Sequence, residues 1–275
     1  MKRLLFSVLV LVVAVTAAQA ATIEVLWYSG GVSNDGGTEY QDDINNVLVP
    51  AALANTAMNT WNVTFWDGGA IPAGTYDVLV TASHTGGWVT FPSYTALTTA
   101  APAFGDRIMV TGQDADFHFL NSPGHQTTFD SSLGFLIDAI NWAGSGTGMG
   151  AVLLDLEGAV LSSLLGSLAT DLGTEFGGGE SVIIPAAFAT FPINEDLTSA
   201  GLSNWSTSSH SSWSGWDTTV WTGINELGTT GRAVTLVSAD TAGGGTGGII
   251  PEPGTFALLG LGLVGLAVAR RRRSS

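Results

Sequence analysis

The chain has 275 residues, 45% hydrophobic and 11% charged, with 37 glycines and no cysteine. That composition excludes disulfides, thiolate metal ligands and a Cys nucleophile, and fits neither charge-driven disorder nor a collagen-like repeat. Six of the eight Lys and Arg residues stand at the two ends, leaving only Arg107 and Arg232 between, while every one of the 23 acids except Glu252 lies between Ala21 and Ile250; so acidic a body repels phosphate backbones and excludes nucleic acid as a partner. At the N-terminus, Lys2 and Arg3 precede an apolar run over 4–15 and then Ala18-Gln19-Ala20. This is the order of a secretory signal peptide with small residues at its cleavage site, and the run is too short for a membrane span. Residues 1–20 are therefore expected to leave with signal peptidase, Ala18 and Ala20 marking the cleavage site, against the competing reading of a retained anchor.

The body, 21–240, alternates strand and helix signals. A short, mostly apolar run over 23–28, closed by Ser29-Gly30-Gly31, predicts a buried strand. Asp42 and Asp43 suit a helix N-terminus ahead of Ile44, Val47, Leu48, Ala51, Ala54 and Met58, and Pro50 inside that pattern predicts a kink or a break into two helices. Strands follow over 63–66, stopping at Asp67-Gly68-Gly69, over 77–83 and over 107–111. Beyond them the pattern predicts a helix over 135–142, a strand over 151–154, a Leu-rich helix over 161–172, and strands over 181–184 and 232–238. Strands separated by helical stretches predict an α/β fold, a three-layer sandwich around a mainly parallel sheet. A body of this size buries roughly 70% of its unfolded surface, enough for one core without staples.

A Gly-rich spacer over 241–250 leads to the tail, 251–275. There Pro251-Glu252-Pro253-Gly254 is followed by an uncharged, mostly apolar stretch over 255–269 and by Arg270, Arg271, Arg272 and Arg273. As a helix the stretch is about 22 Å long against a hydrocarbon core of ~30 Å, a short transmembrane segment, and the arginines favour the cytoplasmic side. These three parts in this order resemble the PEP-CTERM sorting signal of exported bacterial proteins. The resemblance implies recognition by an exosortase, a membrane protease that cuts near the motif and releases or transfers the body to the cell surface. An uncleaved C-terminal anchor is the competing reading, since hydropathy does not separate a permanent anchor from a removable one.

The strand over 23–28 ending in glycines and the Tyr76-Asp77-Val78-Leu79-Val80 segment resemble the class I glutamine amidotransferase-like, flavodoxin-type fold. In that family the strand corresponding to 107–111 enters a sharp turn carrying a Cys nucleophile. Here the turn reads Gly112-Gln113-Asp114, so the family's glutaminase chemistry does not carry over.

Ligands of an open parallel sheet bind beyond the carboxyl ends of its strands, where this chain places Ser29-Gly30-Gly31, Asp67-Gly68-Gly69, His84 and Asp114-Ala115-Asp116-Phe117-His118. If 114–118 is extended, alternation points Asp114, Asp116 and His118 to one side, a set for a divalent cation such as Ca²⁺, Mn²⁺ or Zn²⁺ with His84 as a fourth ligand. The competing reading is a polar turn in which the aspartates bond backbone amides or cap a short helix and His118 simply packs. Ser83-His84, with Asp114 or Asp116 as orienting acid, fits a serine hydrolase poorly, because neighbouring strand residues point apart unless the chain turns between them and no Gly-x-Ser-x-Gly elbow exists. Trp205, Trp213, Trp216 and Trp221, around His210 in a Ser-rich stretch, offer sugar-stacking platforms or, competing with that, a cover for the sheet edge.

No catalytic residue is assigned. The expectation is an exported surface or extracellular-matrix protein, held at the inner membrane by its tail until processed, whose body is a non-catalytic binding or structural domain with extracellular polysaccharide as a partner. The alternative is a metal-assisted hydrolase of extracellular carbohydrate using Asp114, Asp116, His118 and His84.

Overall fold

Apolar runs too short for helices form the strands at the centre of the molecule, and the segments between them carry the chain back across the sheet. The computed structural model describes residues 21–30, 32, 39–56, 59–83, 94–99, 103–121, 128–205 and 208–239, all within one unit, Ala20–Gly245. Residues 1–20, expected as a signal peptide, the expected spacer over 241–250, the tail with its 255–269 stretch, and His84 lie outside the described residues. Among those described, no helix is long and apolar enough to cross a membrane.

Strand β1 (Ala21–Tyr28) leads to helix α1 (Glu39–Asp43), a π-helical turn (Ile44–Leu48) and α2 (Val49–Thr56). The π turn stands immediately before Pro50, and the Val49 N–H reaches back to the Ile44 carbonyl. Pro50 has no N–H to continue an i→i−4 ladder and crowds the carbonyl four residues earlier, so the widened turn absorbs it. Next come β2 (Asn59–Trp66), β3 (Val78–Thr81), α3 (Tyr94–Thr99), β4 (Ile108–Thr111), α4 (Ala115–Asn121), α5 (Ser132–Gly144) and β5 (Gly150–Leu154). The Leu-rich stretch breaks at Gly166 (φ 57°) into α6 (Gly158–Leu165) and α7 (Ser167–Thr170). Strands β6 (Thr174–Gly177) and β7 (Val182–Ile183), helix α8 (Ser199–Leu202), and strands β8 (Ser211–Ser214), β9 (Trp221–Leu227) and β10 (Ala233–Ser238) complete the body.

One sheet joins all these strands in the order β2-β1-β3-β5-β4-β10-β8-β6, with β9 pairing β10 and β7. The five strands from β2 to β4 are parallel, whereas every pairing made by β6 to β10 is antiparallel. The sheet is thus mixed rather than mainly parallel. The reason is visible at 228–232, where a turn closed by the Leu227 N–H on the Arg232 carbonyl (2.8 Å) joins β9 to β10; a parallel pair needs a crossover of roughly a dozen residues. The order also departs from the flavodoxin-type 2-1-3-4-5, since β5 lies between β3 and β4.

Alternation along the parallel strands feeds two cores. Val25, Trp27, Val78, Val80, Met109, Val152 and Leu154 pack with α1, α2, α4 and α5, while Leu26, Tyr28, Leu79, Val110 and Leu153 pack with α3 and α6 on the other face. A strand buried on both faces reads as an unbroken apolar run. Helix α5 is buried nearly all round, capped by Ser131, whose hydroxyl accepts from the Leu133 N–H at 3.3 Å. Its outer side is closed by Trp205 against Phe135 and by Phe191 against Trp142, with ring centroids 5.9 and 5.8 Å apart.

Candidate functional site

The carboxyl ends of four neighbouring strands converge on one buried polar cluster. After β1 stands Ser29, after β3 Ser83, after β5 Asp155, and after β4 the sequence Gly112-Gln113-Asp114 enters α4. Asp155 adopts a positive φ of 39°, a conformation uncommon outside glycine, directly beyond β5. Its backbone N–H bonds the Thr111 carbonyl at 2.8 Å, and its carboxylate accepts from the Ser211 hydroxyl at 3.2 Å. Burial pushes its carboxyl up to about 7.

Residues 115–121 are helical, not extended, and that changes which side chains meet. Asp114 and His118 become i,i+4 neighbours, with His118 Nε2 3.2 Å from Asp114 Oδ1. Asp116 turns away: its Oδ2 accepts from the Tyr40 hydroxyl at 2.7 Å and from the Ser83 N–H at 2.9 Å. Tyr40 in turn accepts from the Trp27 indole at 3.1 Å, so this carboxyl ties α4 to α1, β1 and the end of β3. Burial pushes Asp116 above the usual carboxylate range.

The residue that joins Asp114 and His118 is His210, whose Nε2 lies 3.3 Å from Asp114 Oδ2. Its backbone is held from both sides: its N–H bonds the Gly112 carbonyl at 2.7 Å, and its own carbonyl accepts from the Gly178 N–H at 2.8 Å. Both glycines are required by that approach, since a Cβ on Gly112 would stand 2.0 Å from the Ser211 carbonyl oxygen and one on Gly178 1.9 Å from that of Ser209.

Asp114 is fully buried and His118 3% exposed, whereas the His210 side chain is 37% exposed. Burial alone would raise the Asp114 carboxyl, but the His118 and His210 imidazoles prevail and hold it below its ordinary value. The Asp114 carboxylate in turn raises His210. Despite the short separations, neither Asp114 oxygen and neither His118 nitrogen makes an aligned hydrogen bond. An aspartate ahead of a helix normally gives an oxygen to the second or third N–H, as Thr198 does for α8, where the Gly201 N–H bonds its hydroxyl at 3.1 Å. Asp114 does not. The three ligand-type side chains bring donor atoms within 4.8 Å of one another.

The tryptophan-rich stretch turns inward. Trp205, Trp213 and Trp221 are all buried, the first beside His118 at 5.9 Å between ring centroids and the other two in the core beneath α6. The faces of these three serve packing and are not open to stack on a sugar, while Trp216 is half-buried against the same core.

The body is a mixed α/β domain with a polar cluster at the carboxyl edge of its parallel strands. Beyond it, residues 250–273 match the PEP-CTERM protein-sorting motif, which implies an exported protein processed by an exosortase. Neither the curated proteins nor the solved structures compared with the chain gave a match, and the resemblance to glutamine amidotransferase-like domains finds no support there.

Proposed function

We propose that this chain is a cell-surface or extracellular-matrix protein, made with a leader that signal peptidase removes after Ala20 and held at the inner membrane by residues 255–269 until an exosortase acts at Pro251-Glu252-Pro253-Gly254. The observation that carries the reading is the sorting motif over 250–273. The exported body serves as a non-catalytic binding or structural domain. Its acid excess keeps it soluble and apart from anionic polymers. Both basic residues of the body are spent internally: Arg107 donates to the Trp142 carbonyl at the end of α5 (2.8 Å), and Arg232 lies 4.0 Å over the Phe176 ring on edge strand β6.

Expression in a host with and without its exosortase tests the sorting step. The protein is expected in the surface or medium fraction when the enzyme is present and in the inner-membrane fraction when it is absent. An unchanged distribution contradicts the proposal. A second reading, a metal-assisted hydrolase of extracellular carbohydrate, is favoured by the meeting of Asp114, His118 and His210, and release of reducing ends from polysaccharide by the metal-loaded protein would establish it.

A further inference from the structure

We infer that Asp114, His118 and His210 form a binding site for one borderline divalent cation of the zinc class, with a coordination position left open toward solvent. Four observations converge. The donor set is two imidazoles and one carboxylate, which suits zinc and its transition-metal neighbours and lacks the oxygen-rich shell that Ca²⁺ or Mg²⁺ requires. The spacing suits one ion between the imidazoles and the carboxylate: Asp114 Oδ1 lies 3.2 Å from His118 Nε2 and Oδ2 3.3 Å from His210 Nε2, and one donor atom from each of the three side chains falls within 4.8 Å of the others.

The third observation is the unspent bonding capacity. Asp114 is completely buried with both oxygens lacking aligned donors, and His118 is buried with both nitrogens in the same condition. Leaving such buried groups unsatisfied is costly, and a cation among them satisfies the lone pairs that face it. The fourth is rigidity. The His118 N–H on α4 bonds the carbonyl of Asp114 just ahead of it (3.2 Å), and His210 is fixed by hydrogen bonds to Gly112 and Gly178 on either side, so the ligands are held in place before binding. His210 is the exposed member, so solvent reaches the site from its side, and three protein ligands leave a fourth position for water. Asp116 is not in the set, because its Oδ2 holds Tyr40 and the Ser83 amide.

The test uses the full-length chain in mild detergent, stripped with chelator and titrated with Zn²⁺ and separately with Ca²⁺ by calorimetry, with metal content measured after dialysis. One Zn²⁺ per chain is expected, without comparable Ca²⁺ uptake, and free Zn²⁺ at a hundred times Kd should raise Tm by about 5–10 °C. His210→Ala changes a partly exposed side chain and should fold as the parent does, yet lose the bound metal and the Tm rise. Asp114→Asn should lose both as well. Stoichiometric zinc retained in His210→Ala, Ca²⁺ bound in preference to Zn²⁺, or no stoichiometric metal in the parent would each overturn the site. The sorting proposal stands or falls separately on the processing of the termini.

Discussion

Asp138 shows at a single residue what a crowded acidic body has to accommodate. It sits on α5, 9% exposed, with Oδ2 lacking a hydrogen bond. Burial first, and then Asp196 and Glu195, push its carboxyl up to about 8. An unfolded aspartate ionises near pH 4, so between about pH 4 and pH 8 the folded chain keeps a proton that the unfolded chain has lost. Stability therefore falls as pH rises through that window, by up to about 1.4 kcal/mol per unit from this group. Asp138→Asn removes the ionisation. Its Tm should stay near the parent's at about pH 5 and exceed it at about pH 8, where the parent carries the full penalty; an equal shift at both pH values would contradict the assignment. The residue scale also separates what the candidate site revealed in sequence. Asp114 and His118 were legible as donors because they follow an unmistakable apolar strand. Asp116 was grouped with them on the assumption of an extended backbone, and the helix over 115–121 sends it to Tyr40 instead. His210 left no signal, since only the approach of the segment before β8 to Gly112, a contact between distant parts of the chain, brings it to Asp114.

Among the elements, burial on both faces decided which were readable. Strands β1, β3, β4, β5 and β10 are mostly apolar runs, and the sequence marked each of them to within a residue or two. Strand β8 reads Ser-Ser-Trp-Ser and β6 Thr-Glu-Phe-Gly, with no apolar alternation, and they exist because backbone pairing with β10 and with each other outweighs weak side-chain preference. Strand β9 is buried along most of its length, with only Thr222 and Glu226 less so, and Gly228 with Gly231 marks the turn that follows it; its hairpin was there to be read. Helix α5 was visible only in its middle, since Ser131 and the glycines behind Trp142 define its ends by capping rather than by hydrophobicity. Removing that cap with Ser131→Ala should cost about 1 kcal/mol, a fall of roughly 2–4 °C in Tm for a body of this length. Trp205→Ala empties the space between α5 and α4 and should cost about 3–5 kcal/mol. Loss of no more than the cap's worth in the tryptophan variant would show that the stretch around it does not seal α5.

For the whole molecule, physics at the two ends carried further than the pattern of the middle. The composition of the termini sufficed to identify the tail, because a Pro-Glu-Pro motif, a short apolar stretch and a block of arginines are contiguous in sequence and need no folding to be recognised. The body's architecture was half legible: the parallel strands from β2 to β4 follow from strand and helix alternation, while the antiparallel part depends on short connections and polar strands that hydrophobic periodicity does not register. Its candidate site depends on a meeting of distant segments and was the least legible of all. The central claim, that this acidic domain is made for export and trimmed at both ends, is tested most directly by the mass of the protein recovered from the cell surface. A species beginning at Ala21 and lacking Arg270 to Arg273 is predicted. Full-length chain in the cytosol, with Met1 and the four arginines in place, would contradict it.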